Sequence, residues 1–440
     1  MSPKPPILKP SAMPAGPAAR LFALGSLAVF GLGHVVKESA RQMSRGQTPD
    51  LTRLLFDETN GLRMADKLAR MRGAAMKVGQ ILSMDSGDIL PPAFTQALSR
   101  LQQEAHIMPR DQLDRVLRGA WGDDWRQHFV RFELTPFAAA SIGQVHRAQL
   151  KTGEVLAIKV QFPNVTKTID SNVANIAGLL KMLGVAQKVK DLPDLIETAR
   201  VQLHEEADYL REAAHMERYA EALSDNPTFV VPRAHAALLR PNILPMDFVE
   251  GEPIETLTHA PAATRNQVME TLFGMALREL FDLRLMQTDP NFANFKWRPQ
   301  TGQVVLLDFG ATRAVPEATV EAYRALMQAG LNEDREGLIV ALSDIGAVND
   351  AVLTTHRVRL NAMLDIMIRH LRQPRLDFAD RHFVPLIREK AHEIAMDQTT
   401  WQSPPADTLF VQRKISGMAL LGVRTRAVIP LRSLVAQAIG

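Results

Sequence analysis

The pattern of apolar and polar positions predicts that the first ordered part of the chain is helical. From Asn60, a residue type that often caps helices, residues 61–84 have apolar positions at helical spacing. A second helical stretch covers about 93–105. Pro109-Arg110-Asp111 then opens a short helix that runs toward Trp121. We therefore expect a helical region ahead of Phe129.

The pattern changes at Phe129 and predicts strands. Apolar and polar residues alternate from Phe129 to Phe162, with a turn at Thr152-Gly153. Helical spacing returns over 194–222, and the chain from about 262 onward is mainly helical. Shorter strand-like runs lie at Phe229-Val230-Val231, Ile243–Val249 and Val304–Leu307. A small β-rich segment is thus followed by a larger helical one.

The length and composition fit a globular protein with more than one compact unit. At 440 residues the chain is too long for a single core, and its apolar and charged fractions are ordinary. It has no cysteine, which excludes disulfides, thiolate catalysis and cysteine-based metal sites. The net charge of +3 is small for this length, and basic residues alternate with acidic ones. We therefore expect no nucleic-acid partner.

One segment, from Leu21 to Val36, is apolar enough to contact a membrane. It holds sixteen residues without Lys, Arg, Asp or Glu. A spanning helix needs about 20 apolar residues, so the segment is short for one. We prefer peripheral or shallow membrane contact, and the alternatives are a buried core helix and, last, a spanning helix. The residues before it, 1–20, are rich in proline and alanine and are predicted to be disordered.

Two short stretches carry residue types suited to phosphate chemistry. Leu156-Ala157-Ile158-Lys159 is an apolar strand with a lysine that would point across the sheet toward a bound phosphate, although a solvated lysine also fits. Further along, Asp289 precedes Asn294 by five residues, the spacing of a kinase catalytic loop. In such a loop the aspartate orients or deprotonates the attacking group and the asparagine holds a metal ion. The intervening Asp-Pro-Asn is also ordinary turn chemistry.

A third stretch is the apolar run Val304–Leu307, which ends in Asp308-Phe309-Gly310. A carboxylate at the end of a buried strand can chelate a Mg²⁺ ion that bridges the β- and γ-phosphates, and the glycine allows a sharp turn. Asp308 follows Asn294 by 14 residues. Together the three stretches predict a site for ATP or ADP with Mg²⁺, in which Asp289 and Lys159 are catalytic, while Asn294 and Asp308 bind the metal.

An alanine-rich loop stands where a glycine-rich phosphate loop would precede Lys159. Alanine Cβ atoms stiffen the backbone and limit its approach to phosphate oxygens. The residues predicted to contact the nucleotide are Ala138, Ala139, Ala140 and Ser141 in this loop, Lys159, and Asp247 and Val249 further along. No His-Arg precedes Asp289, and no Ala-Pro-Glu follows Asp308 closely. Ordinary peptide phosphorylation is therefore not expected.

These motifs and the order of the segments predict an α+β, two-lobed protein-kinase-like fold. It has a small β-rich N-lobe, a larger helical C-lobe and a helical N-terminal extension. The predicted boundaries are 1–20 for the disordered N-terminus, 21–50 for the apolar, possible membrane-contacting segment, 51–128 for the helical extension, 129–249 for the N-lobe and 250–440 for the C-lobe.

The chain resembles the UbiB/ADCK family (AarF-type) of atypical kinase-like proteins, and within it the members linked to coenzyme Q (ubiquinone) biosynthesis. The resemblance covers roughly residues 20–440. The matching segments are the K-x-G-Q motif Lys77-Val78-Gly79-Gln80, the alanine-rich loop in Phe137–His146, the Lys159 strand, the E-x-D motif Glu206-Ala207-Asp208, Met286–Asn291, and Leu307–Arg313. Ala293 departs from the pattern, since many members have glycine before the asparagine.

The resemblance implies a protein that binds ATP or ADP with Mg²⁺, hydrolyses ATP slowly, and supports ubiquinone synthesis at a membrane. It implies that the extension with Lys77 and Gln80 packs over the site that a protein substrate would use, and that Glu206 and Glu212 belong to the catalytic set. The implied partners are membrane lipid or isoprenoid-quinone precursors and quinone-biosynthesis enzymes, with a homodimer as a further candidate. The implied location is cytoplasmic, peripheral to a bacterial inner membrane or its mitochondrial-type equivalent.

Glu206 and Glu212 are six residues apart, which places them about 120° apart around an ideal helix. Both face one site only if the helix bends or ends between them. We expect Glu206 to pair with Lys77 and Glu212 with Lys159, and the reverse assignment stays open.

Three functions fit the sequence. The preferred one is an atypical kinase-like ATPase that supports isoprenoid-quinone synthesis at a membrane. The alanine-rich loop and the K-x-G-Q extension keep open a nucleotide-gated lipid-binding or scaffold protein without significant turnover. The same Asp, Asn and Asp set would also serve a small-molecule phosphotransferase.

Overall fold

The computed structural model describes residues 9–10, 72–85, 106–182, 192–289, 291–395, 397 and 405–440. Several predictions lie outside these residues: the disordered stretch 1–20 apart from Lys9 and Pro10, the apolar segment Leu21–Val36, the first part of the helix 61–84, and the helix 93–105. At Lys9 and Pro10 the predicted disorder is wrong, because these two residues pair with His106 and Ile107 as a short strand. The chain divides into two compact units. The first contains the described residues up to Arg211 together with Ala234–Phe248, and the second contains Glu212–Arg233 and Val249–Gly440.

The described residues form short strands and longer helices. The strands are β1 (Lys9–Pro10), β2 (His106–Ile107), β3 (Phe129–Phe132), β4 (Ala138–Ala139), β5 (Gly143–Leu150), β6 (Val155–Gln161), β7 (Phe229–Val230), β8 (Ile243–Asp247), β9 (Glu252–Pro253), β10 (Leu285–Gln287), β11 (Phe295–Trp297), β12 (Val304–Leu306), β13 (Thr312–Ala314), β14 (Leu376–Asp377) and β15 (Val428–Ile429). The α-helices are α1 (Arg72–Asp85), α2 (Arg110–Trp121), α3 (Val165–Met182), α4 (Leu192–Glu206), α5 (Tyr209–Ala222), α6 (Ala262–Phe281), α7 (Glu317–Leu331), α8 (Arg335–Asp344), α9 (Asp350–Leu371), α10 (Phe383–Ala395), α11 (Ala406–Thr425) and α12 (Leu431–Ile439).

The first unit is built on a five-stranded antiparallel sheet in the order β3-β5-β6-β8, with β4 paired to β5. This confirms the strands and hairpins predicted between Phe129 and Phe162, and Gly153 has a φ of +96° in the predicted turn. Helix α2, confirmed from its Pro109 start, packs Leu113 and Leu117 against Trp125 and the apolar side of β6. The sheet core therefore rests on the last helix before it.

Helices α1, α3 and α4 form a second core in the first unit. Buried side chains from all three meet there, including Val78 of α1, Ile176 of α3 and Leu203 of α4. The helical stretch predicted over 194–222 is two helices, because α4 ends at Glu206 and α5 begins at Tyr209. The helix is therefore interrupted between Glu206 and Glu212, which is the condition for both side chains to face one site.

The second unit combines short strands with most of the longer helices. One sheet has the order β7-β12-β11-β9, and β10 pairs with β13 in a two-stranded sheet. The strand predicted at Val304–Leu307 is β12, and its valines are fully buried. Because β7 pairs with β12, the segment Glu212–Arg233, inside the predicted N-lobe range 129–249, groups with this unit. Strands of two or three residues, such as β10 and β13, are too short to show an alternating pattern.

The architecture confirms the predicted α+β, kinase-like fold with an antiparallel sheet in its first unit and a mainly helical second unit. Within the described ranges, none of the helices combines the length and apolar composition needed to cross a membrane.

Candidate functional site

Asp289, Asn294 and Asp308 lie together in the second unit. Strands β11 and β12 pair antiparallel, and just beyond them the backbone N–H of Leu307 donates to the carbonyl oxygen of Asn294 at 3.0 Å. Asp308 is the residue after this bond. Nδ2 of Asn294 donates to the carbonyl oxygen of Asp289 at 3.4 Å. The structure therefore brings together the three polar residues whose spacing predicted the site.

Backbone N–H groups hold both carboxylates in turns. Oδ1 of Asp289 accepts from the N–H of Asn291 at 3.3 Å, and Oδ1 of Asn291 accepts from the N–H of Ala293 at 3.1 Å. Oδ1 of Asp308 accepts from the N–H of Gly310 at 3.0 Å. The turn chemistry noted for Asp-Pro-Asn is thus present, and it orients the carboxylates that the site needs.

The donor atoms of this set fit a magnesium ion with a nucleotide. Mg²⁺ takes carboxylate and amide oxygens and is commonly held by one or two protein ligands, with phosphate oxygens and water at its other positions. Asp308 supplies a carboxylate and Asn294 a side-chain amide oxygen. Asn294 is buried, while Asp289 and Asp308 are half-buried. The carboxylate of Asp289 lies next to these two candidate metal ligands, and a carboxylate at such a position is able to orient an attacking hydroxyl or accept its proton.

Lys159 lies in the sheet of the first unit. It is part of β6, and its cross-strand neighbours are Val145 on β5 and Leu244 on β8. The residue is 8% exposed, and Nζ lies 5.4 Å from the centroid of the Tyr209 ring, a cation–π contact. Lys159 is therefore a buried lysine, which excludes the solvated alternative. Glu212 belongs to the second unit, and its pairing with Lys159 stays a prediction.

Lys77 of α1 forms an ion pair with Glu206 at the end of α4, as predicted. The two side chains are only 5% and 12% exposed. Ser141 joins them, because its Oγ donates to Oε2 of Glu206 at 2.6 Å. The K-x-G-Q helix, the E-x-D motif and the alanine-rich loop are therefore connected through one carboxylate. The backbone of Gln80 lies in α1, and its side chain is outside the described part of the structure.

The alanine-rich loop is the tip of a tight hairpin. Ala138 and Ala139 form β4, and the backbone N–H of Ala140 donates to the carbonyl oxygen of Gly143 at 3.0 Å. Helix α1 closes on this tip, because a Cβ added at Gly73 would lie 2.8 Å from the carbonyl oxygen of Ser141. Two causes therefore restrict the hairpin: its own Cβ atoms, as the sequence predicted, and the close approach of α1, which the sequence did not reveal.

Two further residues predicted to contact the nucleotide are Asp247 and Val249. Asp247 ends β8, and its Oδ1 lies 3.0 Å from Nε2 of His235. Val249 is half-buried and belongs to the second unit. No contact with a nucleotide is tested for either, so both stay predictions.

A buried polar network in β5 was missed. Oε1 of Gln144 accepts from the backbone N–H of Met108 at 2.8 Å, and Nε2 of Gln144 lies 2.8 Å from Nε2 of His146. Nδ1 of His146 lies 2.7 Å from the carbonyl oxygen of Glu133, which can only accept, so Nδ1 carries the proton and Nε2 accepts from Gln144. The sequence does contain a signal for this network, because Gln144 and His146 are polar residues at positions i and i+2 of a predicted strand and therefore share one face.

His146 makes the stability of the protein depend on pH. Burial lowers its pKa from 6.5 to about 4. A proton on Nε2 would in addition face the N–H donors of the Gln144 amide. The unfolded chain binds this proton below its ordinary pKa while the folded protein does not. The free energy of unfolding is therefore expected to fall by about 2 kcal/mol between about pH 7.5 and about pH 5.

Urea unfolding of the parent and of His146→Gln at both pH values measures this effect. The variant is expected to be less stable at the higher pH, and the difference between the two proteins should shrink as the pH falls. Equal pH dependence of the parent and the variant would assign the effect to other groups.

Known proteins resemble this chain over most of its length. Residues 100–342 match the ABC1 atypical kinase-like domain. The chain is 34% identical over 424 residues to the mitochondrial atypical kinase COQ8 of Saccharomyces cerevisiae, which covers 96% of this chain and 84% of that protein. It is 33% identical over 433 residues to the mitochondrial atypical kinase COQ8B of Rattus norvegicus, which covers 96% and 80%.

A solved structure shares the fold. The structure of Rv3197 from Mycobacterium tuberculosis in complex with erythromycin aligns with a TM-score of 0.59 at 24% identity, over 86% of this chain and 95% of that one. The ABC1 domain spans more than half of the chain, and the COQ8 relatives extend the match to nearly all of it. The chain belongs to the UbiB/ADCK family of atypical kinase-like proteins.

Proposed function

We propose that this protein binds ATP or ADP with Mg²⁺, hydrolyses ATP slowly, and supports ubiquinone biosynthesis at a membrane. The observation that carries the proposal is the grouping of Asp289, Asn294 and Asp308, which rests on the Leu307–Asn294 and Asn294–Asp289 hydrogen bonds. A metal-binding carboxylate and amide beside a second carboxylate form the working set of a phosphoryl-transfer enzyme.

Each residue has a role in this proposal. Asn294 and Asp308 would hold Mg²⁺, which when bound neutralises the charge that develops on the phosphates. Asp289 orients the attacking group and accepts its proton. Lys159 is kept as the phosphate contact that the sequence predicts. Burial of Asn294 and the backbone bonds to Asp289 and Asp308 fix this geometry before a nucleotide arrives, so little ordering remains to be done on binding.

The restrained hairpin supports slow turnover. A flexible glycine-rich loop can follow the phosphates through a reaction, whereas this hairpin is held by the close contact at Gly73 and by the bond between Ser141 and Glu206. The Lys77–Glu206 ion pair holds Glu206 in turn. We therefore favour a slow ATPase over a kinase that phosphorylates peptides.

The proposed biological setting rests on the names of the similar proteins. Two of them are named mitochondrial COQ8 and COQ8B kinases, and the family resemblance links such proteins to coenzyme Q. We propose quinone precursors or the enzymes that modify them as partners, and a location at the membrane surface, in the cytoplasm of a bacterium or in its mitochondrial equivalent.

Mg²⁺-dependent ATP binding and hydrolysis by the parent and by Asp308→Asn test the proposed function. Asparagine keeps the size of the side chain but removes the charge that holds the metal, so hydrolysis is expected to fall by about 100-fold or more. Asp282→Asn is the matched control, because Asp282 is an exposed residue at the end of α6. It should retain parent activity. Liposomes of anionic lipid should raise the activity of the parent and of the control.

A second candidate function is a nucleotide-gated scaffold without turnover, which the restraint on the alanine hairpin favours. If the parent binds Mg-ADP and Asp308→Asn does not, while neither hydrolyses ATP with or without liposomes, the scaffold replaces the ATPase. If neither protein binds nucleotide, both forms of the proposal are wrong.

A further inference from the structure

A buried ion pair lies behind the three polar residues of the site. Nζ of Lys414 in α11 and Oε2 of Glu279 in α6 are 2.8 Å apart, and the two side chains are only 3% and 2% exposed. Removing two charges from water costs more free energy than most such pairs return, so an apolar pair of the same size would stabilise the core at least as well. Stability alone therefore does not account for an ion pair at this position, and the groups that it contacts become informative.

Both members of the pair form hydrogen bonds with the strand that leads to Asp289. Nζ of Lys414 donates to Oε1 of Gln287 at 3.2 Å, and the backbone N–H of Gln287 donates to Oε1 of Glu279 at 3.4 Å. Gln287 is the last residue of β10 and precedes Asp289 by two residues. Both members of the ion pair therefore fix the same residue, one through its side chain and the other through its backbone.

The pair also reaches the neighbours of Asp308 and Asn294. The hydroxyl of Tyr219 donates to Oε1 of Glu279 at 2.8 Å, and the Tyr219 ring packs on Phe309 with centroids 4.9 Å apart. Nζ of Lys414 lies 5.5 Å from the ring centroid of Phe295. Phe309 and Phe295 directly follow Asp308 and Asn294 in sequence, so each of the three polar residues has a close neighbour held by the pair.

A small cavity shows how close the network comes to the metal ligands. It has a volume of about 10 Å³, and its lining includes Lys414, Gln287, Asn294 and Asp308. Nε2 of Gln287 has no hydrogen-bond partner among the described residues. The charged network and the predicted metal ligands therefore border the same space.

We propose that the Lys414–Glu279 ion pair is a positioning device that sets the mutual geometry of Asp289, Asn294 and Asp308. The proposal rests on the proposed function, in which these residues hold Mg²⁺ and nucleotide. Metal binding tolerates only small errors in ligand position, and groups behind the ligands commonly change metal affinity without touching the metal. Directional bonds from two charges fix Gln287 more narrowly than apolar packing would.

The double variant Lys414→Met/Glu279→Gln tests the proposal, because it removes both charges and leaves no buried ion unpaired. We expect it to fold, and to need about tenfold more Mg²⁺ than the parent for half-maximal ATP hydrolysis or Mg-ADP binding. Leu421→Ala is the matched control: Leu421 is a fully buried residue of the same helix. It should lower the melting temperature and leave the Mg²⁺ requirement unchanged, as a purely structural role would.

Hydrogen exchange of the protein without nucleotide gives a second readout. In the double variant, the backbone amides of residues 287–289, 291–294 and 307–312 should exchange about tenfold faster than in the parent, and those of helices away from these segments, such as α9, should not change. Tyr219→Phe keeps the ring on Phe309 but loses the hydroxyl, whose two acceptors are Oε1 of Glu279 and the carbonyl oxygen of Leu285. It should show a smaller increase over 307–312 even if the double variant does not fold.

The outcomes separate the two proposals. Parent-like exchange and a parent-like Mg²⁺ requirement in the double variant, or parent-like exchange in Tyr219→Phe when the double variant does not fold, would overturn the positioning role. A parent that binds no Mg-nucleotide would overturn the proposed function, and the exchange measurement would still decide whether the ion pair orders these segments.

Discussion

Replacing Lys77 with methionine is expected to lower the free energy of unfolding by about 3 kcal/mol. The methionine fills the space of the lysine stem but leaves the Glu206 carboxylate, only 12% exposed, without its cation. The hydroxyl of Ser141 remains as a donor to Glu206, which places the expected loss at the lower end of the range for a broken buried pair. Chemical denaturation followed by circular dichroism measures the change.

The double variant Lys77→Met/Glu206→Gln separates the cost of a stranded charge from the value of the pair. The glutamine still accepts a hydrogen bond from Ser141 and carries no charge, so the double variant should recover most of the lost stability. If the double variant is as unstable as the sum of the two single variants, the residues do not act as a pair and the connection between α1 and the hairpin is wrong.

Gly143→Ala is expected to cost about 3 kcal/mol, in the upper part of the range for overpacked sites. A Cβ at this position would overlap the backbone carbonyl oxygen of Val160 on β6 and would lie 3.1 Å from the hydroxyl of Tyr209. A backbone atom in a sheet cannot rotate away as a flexible side chain can. The start of β5 must therefore separate from β6, next to the alanine-rich hairpin.

Gly119→Ala is the control for this prediction. Gly119 lies inside α2, and a Cβ there meets no atom within 4 Å. Alanine should stabilise that helix by about 0.5–1 kcal/mol. A melting temperature for Gly143→Ala equal to that of the parent would show that the two strands are farther apart in solution than the structure has them.

The grouping of the three polar residues in the candidate site could be predicted from the sequence because they follow each other at short, fixed spacings. Asp289, Asn294 and Asp308 occur within 20 residues of chain, and turns and a short strand pair carry them into place locally. The Lys77–Glu206 pair is separated by far more of the chain, and it was predicted through the family motifs rather than through the physics of the residues.

The missed features depend on contacts that no local pattern records. Lys414 follows Gln287 by 127 residues, and a lone lysine in an amphipathic helix is ordinarily solvated. Glu279 in α6 would likewise be expected to be solvated from the sequence alone. The approach of α1 to the hairpin was hidden for a different reason, since a glycine such as Gly73 inside a helix marks a close contact without showing with what.

The division of the chain between the two units has a consequence for how the protein is made. Residues Glu212–Arg233 belong to the second unit but are synthesised before Ala234–Phe248, which completes the first. Strand β7 within that early segment pairs with β12, where Phe229 lies opposite Val304. A ribosome that adds about 5–20 residues per second needs about 4–15 seconds to make the intervening chain. During that interval the first unit can add β8 to the edge of its sheet. The backbone edge of β7 and its side chains Phe229 and Val230 meanwhile lack their partner strand and are accessible to chaperones.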